Sequence, residues 1–172
     1  MKTKETQIED IERQVHKFFS QLGETARQEG WHKDSEWTVG INRYLTQLGH
    51  KHGFLVFASR CEIADGKEWL YDHHWRSLND KGNLVSIPLA MEIEWGFGAK
   101  NMREKVVEDF TKLIQARAQL RVMVFQGNSI ESTLDELQNM VQEFADTQIG
   151  DRYLLAGWGW DTEKIHMRPL II

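Results

Sequence analysis

The sequence predicts a mixed α/β fold, a central β-sheet flanked by helices, and three observations carry that prediction. Segments with apolar residues at three-to-four spacing alternate with short β-rich runs. Asn79-Asp80-Lys81-Gly82-Asn83 separates two of those runs with residues suited to a tight reversal, so the runs pair as an antiparallel hairpin. A helical stretch then leads from the hairpin into a further strand, which puts helices on both faces of a mixed sheet.

The elements follow in order. From Thr6 to about Gln28, Ile8, Ile11, Val15, Phe18, Phe19 and Leu22 make one apolar stripe on an amphipathic helix. A second helix starts at an Asp34-Ser35 cap, runs through Val39, Ile41, Tyr44, Leu45 and Leu48, and ends before Gly53. Phe54 to Ala58 is a continuous apolar run of buried-strand type. Strands over Glu68 to Ser77 and Leu84 to Glu94 form the hairpin, and a helix from Met102 to Ala118 leads into a strand over Leu120 to Phe125. Asn128 with Glu131 resembles a capping box opening a helix from Ser129 to Ala145. Tyr153 to Trp160 and Ile165 to Ile172 are the last two strands.

Composition bounds the function. The 172 residues are enough for one sizeable core, and two prolines with no low-complexity tract offer no linker, so one domain over 1–172 is expected. Within it, 1–33 is an N-terminal helical extension, 34–127 the core unit and 128–172 a C-terminal helix and β-hairpin. No apolar run approaches the roughly 20 residues that cross a bilayer. The N-terminus Met-Lys-Thr-Lys-Glu-Thr lacks the apolar stretch of a secretory signal, and the lone Cys61 fits a reducing compartment; a cytoplasmic protein with no membrane partner is expected.

A net charge of −5 argues against a surface that grips nucleic acid all over. The charge is uneven. Phe97 to Gly127 carries six basic against three acidic residues, and Asn128 to Ile172 three basic against eight acidic, so the two stretches face different partners or are simply solvated helix faces. Seven tryptophans, Trp31, Trp37, Trp69, Trp75, Trp95, Trp158 and Trp160, are expected mostly in the core, although aromatic rings also stack on unpaired bases.

The chemistry-bearing constellation sits on the hairpin. Glu92 and Glu94 project from one face of their strand, while Val85, Ile87, Leu89, Met91, Ile93 and Trp95 line the other as core. Asp72 interrupts an aromatic stretch of the neighbouring strand, and the hairpin register brings it beside the glutamate end. Three clustered carboxylates repel one another, and a divalent cation offsets this. The bland alternative is a solvated sheet edge with Glu94 paired to Arg76. Of His73 and His74, only His74 shares the face of Asp72, and no other histidine stands at metal-ligand spacing. Gly96-Phe97-Gly98 lacks the third glycine or the Gly-Lys-Ser/Thr ending of a phosphate loop. Gly157-Trp158-Gly159-Trp160 marks a close backbone approach.

On Asp72 and Glu92-Ile93-Glu94, in the order helix, strand, strand with Asp, strand with Glu-x-Glu, helix, strand over Glu36 to Gln126, the chain resembles the PD-(D/E)XK nuclease superfamily. The resemblance implies a restriction-endonuclease-like fold and a Mg²⁺-dependent (or Mn²⁺-dependent) phosphodiesterase acting on DNA in preference to RNA. It implies Asp72, Glu92 and the backbone carbonyl of Ile93 as metal ligands. Glu94 stands where the family usually has lysine and would orient the water or take its proton. Lys112 on the following helix, or Lys100 from the loop, would stabilise the transition state, although Lys112 shares its helical phase with Lys105 and Asp109. Glu36 is a further acidic candidate, as in some members. The acidic remainder suits a protein partner or a homo-oligomer. The rival readings are a non-catalytic binding or interaction module with the same fold, and an acidic protein that occupies a partner's nucleic-acid site.

Overall fold

A computed structural model describes residues 4–96 and 102–172. Three helices, α1 (Lys4–Ser20), α2 (Leu22–Glu29) and α3 (Asp34–Lys51), precede β1 (Leu55–Ala58), β2 (His73–Leu78) and β3 (Leu84–Glu94). Then come α4 (Met102–Gln115), β4 (Ala118–Gly127), α5 (Ile130–Glu143), β5 (Arg152–Gly159) and β6 (Lys164–Ile171). The six strands lie in one sheet in sequence order. β1, β2 and β3 form an antiparallel meander, β3, β4 and β5 run parallel, and β6 returns antiparallel to β5. The two parallel steps are those with an intervening helix, because only a long crossover returns the chain to the same end of the sheet.

Alternation along the strands sorts the core into two layers. One face packs Ile11, Val15 and Phe19 of α1 and Ile41 and Leu45 of α3 on Trp75, Met91, Val122 and Leu154. The other packs Val106, Phe110 and Leu113 of α4 and Leu134, Leu137 and Val141 of α5 on Ala90, Met123, Tyr153 and Leu155. Each wholly buried large side chain in these layers stabilises the fold by roughly 1.5–3 kcal/mol. Among the described residues no helix is long and apolar enough to cross a membrane. An ion pair ties residues distant in the sequence together: Arg152 Nη1 lies 2.6 Å from Glu12 Oε2, both side chains largely buried.

Several local expectations are corrected. The predicted first helix is two helices, separated at Gln21, which takes φ −105° and ψ 0° between Ser20 and Leu22. The break lets α2 follow the sheet, with Gly23 so close to Trp158 that a Cβ there would lie 2.9 Å from the indole. β2 starts at His73, because the chain before it loops from β1 and is fastened where Ser59 N–H donates to the Asp72 carbonyl at 2.9 Å. The apolar face of β3 is not continuous core. Val85 is 52% exposed, and Ile87 packs with the α4–α5 layer, because the β2–β3 register shifts between His74 and Ser77. The Asn128–Glu131 capping box does not form: Ser129 occupies the cap position without a side-chain bond, and Glu131 is drawn instead to Arg168 and His166 on β6. Of the tryptophans only Trp75 is wholly buried, whereas Trp69 is 77% exposed.

Candidate functional site

Asp72 and Glu92 meet where β2 begins and β3 ends. Pairing of His73 with Met91 sets the register that makes Asp72 the neighbour of Glu92. The bonds between them interlock: Ile93 N–H donates to Asp72 Oδ2 at 3.0 Å, and Asp72 N–H points to Glu92 Oε2 at 3.4 Å. Glu92 follows Ala90 on the face covered by α4 and is only 3% exposed.

Helix α4 completes the cluster. Lys112 Nζ lies 3.3 Å from Glu92 Oε1 and 2.6 Å from Asp109 Oδ1. Helical phase alone left Lys112 pointing to solvent with Asp109. The ammonium nevertheless reaches Glu92 on β3 while its side chain stays 42% exposed. Asp109 belongs to the same cluster and was missed as a site residue. The signal was present in its i, i+3 spacing from Lys112.

The electrostatics are those of a cation-poor site. Burial, then the charge of Asp72, pushes the Glu92 carboxyl up to about 8, with Lys112 opposing and Asp109 adding to the rise. Burial also raises Asp72, partly offset by the Ile93 N–H. For Lys112, burial disfavours the ammonium, but bonding to Asp109 and the charges of Glu92 and Asp109 outweigh it and hold the lysine firmly protonated. Three carboxyls thus share one ammonium. Full ionisation would leave two negative charges uncompensated, which one divalent ion balances.

Glu94 does not complete the expected trio. It lies on the same face of β3, but its Oε1 accepts the Gly96 N–H at 2.7 Å, and it is not among the charges acting on Glu92. It does not pair with Arg76 either; that guanidinium sits 4.0 Å over the Phe57 ring and donates to His74 Nε2 at 3.0 Å. Glu36 is a helix cap, accepting the His32 and Lys33 N–H groups at 2.6 and 2.9 Å, since an N3 carboxylate satisfies otherwise unpaired first-turn donors. It belongs to α3, on the opposite face of the sheet from Glu92. Lys100, Phe97 and Gly98 lie outside the described residues.

His73 and His74 are both buried in the sheet. His73, fully buried, is held between Asn42 Oδ1 at 3.2 Å and the Trp75 Nε1–H at 2.9 Å. Burial lowers its pKa to about 3. His74 stacks on Phe57, and burial followed by the Arg76 charge lowers it to about 4. The Gly157–Trp160 stretch is the close approach expected of it, with a Cβ on Gly157 falling 2.7 Å from Ile130 Cγ2.

Among the described residues no three His, Cys, Asp or Glu side chains are arranged to hold a metal ion by themselves. Two carboxylates at a strand end are nevertheless the donors Mg²⁺ uses, since it keeps several waters and takes only one or two carboxylates from a protein. The oxygen-only set fits Mg²⁺ or Mn²⁺ and not a thiolate or imidazole metal. Compared with protein-family models, with curated proteins and with solved structures, the chain finds no match.

Proposed function

We propose that the chain is a divalent-metal-dependent phosphodiesterase that cleaves DNA. The observation that carries this reading is the approach of Lys112 to Glu92 beside Asp72, which joins two acidic ligands and a cation across β2, β3 and α4. The order α3-β1-β2-β3-α4-β4, with Asp72 just before the second strand and Glu92 and Glu94 at the end of the third, is the order the PD-(D/E)XK resemblance calls for.

In this reading Asp72, Glu92 and the Ile93 carbonyl would hold Mg²⁺, whose chemistry when bound would be to lower the pKa of a coordinated water and to neutralise charge on the phosphate. Asp72 is oriented by the Ile93 N–H and Glu92 by burial under α4, so both present fixed oxygens. Lys112 supplies positive charge to the phosphate oxygens, and Asp109 holds its ammonium in place at 2.6 Å. Glu94 Oε1 is taken by the Gly96 N–H, so in this reading only its Oε2 would be left to orient the water or take its proton. The basic stretch over 97–127 contacts the DNA backbone, and the acidic C-terminal stretch faces a protein partner or a second copy.

One observation favours a second reading, a non-catalytic module of the same fold. Glu94 replaces the strand lysine and is tied to Gly96 N–H, a local structural bond that needs no catalysis to explain it. Titration of Mg²⁺ and Mn²⁺ followed by calorimetry, with cleavage of plasmid and single-stranded DNA, decides between them. Binding and cleavage that are both lost in Glu92→Ala support the enzyme. Binding without cleavage supports the module, and no binding by the wild-type protein ends the metal-site reading.

A further inference from the structure

Five of the seven tryptophans gather around one cavity of about 680 Å³ that the proposed phosphodiester chemistry does not use. Trp37 is its hub. Its ring centroid lies 6.0 Å from Trp31 at 66°, 6.0 Å from Trp95 at 67° and 4.9 Å from Trp158 at 56°. Trp160 stands at the rim, 43% exposed. The wall is fixed in advance: Trp95 donates from Nε1 to Thr38 Oγ1 at 2.8 Å, and its carbonyl accepts from the buried Gln126 side chain, which also lines the cavity.

The location bears on what enters. Trp95 follows β3, Gln126 is near the end of β4, and Trp158 is near the end of β5, so the cavity opens at the carboxyl ends of the three parallel strands. That is the rim where open α/β sheets bind ligands. Glu92 and Glu94 end β3 at this same rim on the α4 face, whereas Trp95 packs with the α1–α3 layer. Glu94 and Trp95 are chain neighbours, about 3.8 Å apart at Cα. Glu92 and Trp95 thus lie on opposite faces of the same end of β3, so a strand crossing the rim would set a phosphate on one face and a neighbouring base on the other.

We propose that this cavity receives an unpaired nucleobase of the DNA strand whose phosphate lies at Asp72 and Glu92; the inference rests on the phosphodiesterase reading. The volume falls within the roughly 300–1,000 Å³ of small-molecule sites, and indole rings offer π faces on which any base stacks. The rings touch Trp37 directly at steep angles, so a base would stack on the indole surface lining the cavity and not between two rings. The charged lining is balanced, with Arg27 and Lys33 against Asp34 and Glu163, which gives a bare cation no preference. The Gln126 amide places a polar group among the indoles. The substrate class that follows is single-stranded or locally opened DNA.

The test observes the indole N–H signals by NMR, in EDTA so that no metal contributes, while adding adenosine 5′-monophosphate, thymidine 5′-monophosphate and an eight-nucleotide thymidine oligomer. The expected result is saturable shifts of the Trp31, Trp37, Trp95, Trp158 and Trp160 signals with Trp75 unmoved, and affinity reduced about fivefold or more in Trp160→Ala. Trp160 is a rim residue, so the fold persists; Gln126→Ala provides a second variant. No saturable shift, shifts unaltered in both variants, or stronger shifts with choline than with the nucleotides overturns the proposal. Base binding without metal-dependent cleavage defeats the phosphodiesterase reading and leaves the cavity assignment standing. Cleavage without base binding does the reverse.

Discussion

Lys112 Nζ lies 3.3 Å from Glu92 Oε1, across from a helix face that its spacing assigned to solvent. If this contact serves chemistry, Lys112→Met abolishes most DNA cleavage, by a factor of about 100 or more, as removal of one transition-state donor does. Metal affinity by calorimetry changes far less, because Asp72 and Glu92 remain. Equal loss of both quantities would make Lys112 a structural counter-ion only.

Glu92 couples stability to pH. Its folded pKa of about 8 lies above the ordinary carboxylate value, so the folded state holds a proton that the unfolded state has released. Stability from this group is therefore present in full below the unfolded value and lost as pH rises through about 8. Thermal melts in EDTA should show Tm falling between pH 6.5 and 8.5, a window above the histidine contributions. Glu92→Gln should flatten that slope, and Mg²⁺ should reverse it, because metal binding releases the proton.

His73 acts in the opposite direction. Its folded pKa is depressed to about 3, so the unfolded chain takes up a proton near 6.5 that the folded protein refuses. Stability is lost as pH falls from about 6.5 towards 3. Asn42→Ala removes the partner of His73 Nδ1 and should cost about 1–3 kcal/mol in urea denaturation at pH 7, the usual penalty for a buried unpaired polar group.

Trp69 is exposed, has Arg76 5.6 Å from its ring, and stands three residues before Asp72. Trp69→Ala should leave stability within about 0.5 kcal/mol, as surface changes do. Under the DNA-binding reading it weakens single-stranded DNA by about 1–3 kcal/mol, measured by fluorescence anisotropy with Ca²⁺ in place of Mg²⁺. Unchanged affinity places Trp69 outside the DNA path.

The fold was legible because its signals are local and periodic. The 3.6-residue stripe of α4, the Asn79–Asn83 reversal and the apolar run at Phe54 each depend on neighbours in sequence. Asp72 and Glu92 were legible only in part: the turn brings their strands together, but two register shifts between the turn and the site move the pairing from the Leu78–Leu84 frame, which would set Asp72 against Ala90, to the His73–Met91 frame that sets it against Glu92. What the sequence hid depends on long side chains and on competition. Lys112 overrides its helical phase by the reach of four methylenes. Glu131 leaves a cap for Arg168 and His166, and Glu94 bends to the backbone of Gly96. The tryptophan cluster draws on α3, β3 and β5 with the bend before α3, so no window of sequence contained it.

The Arg152–Glu12 ion pair has a consequence for the order in which the chain can finish folding. Its partners are 140 residues apart, and α1 lies against residues of β4 and β5 that are synthesised long after it. While β5 is still being made, Ile11, Val15 and Phe19 lack part of their cover, and Glu12 has no guanidinium to meet. A nascent chain therefore leaves the apolar face of α1 only partly covered until β5 has been made, so the protection of α1 against proteases should follow the synthesis of Arg152 and not the emergence of the first helices.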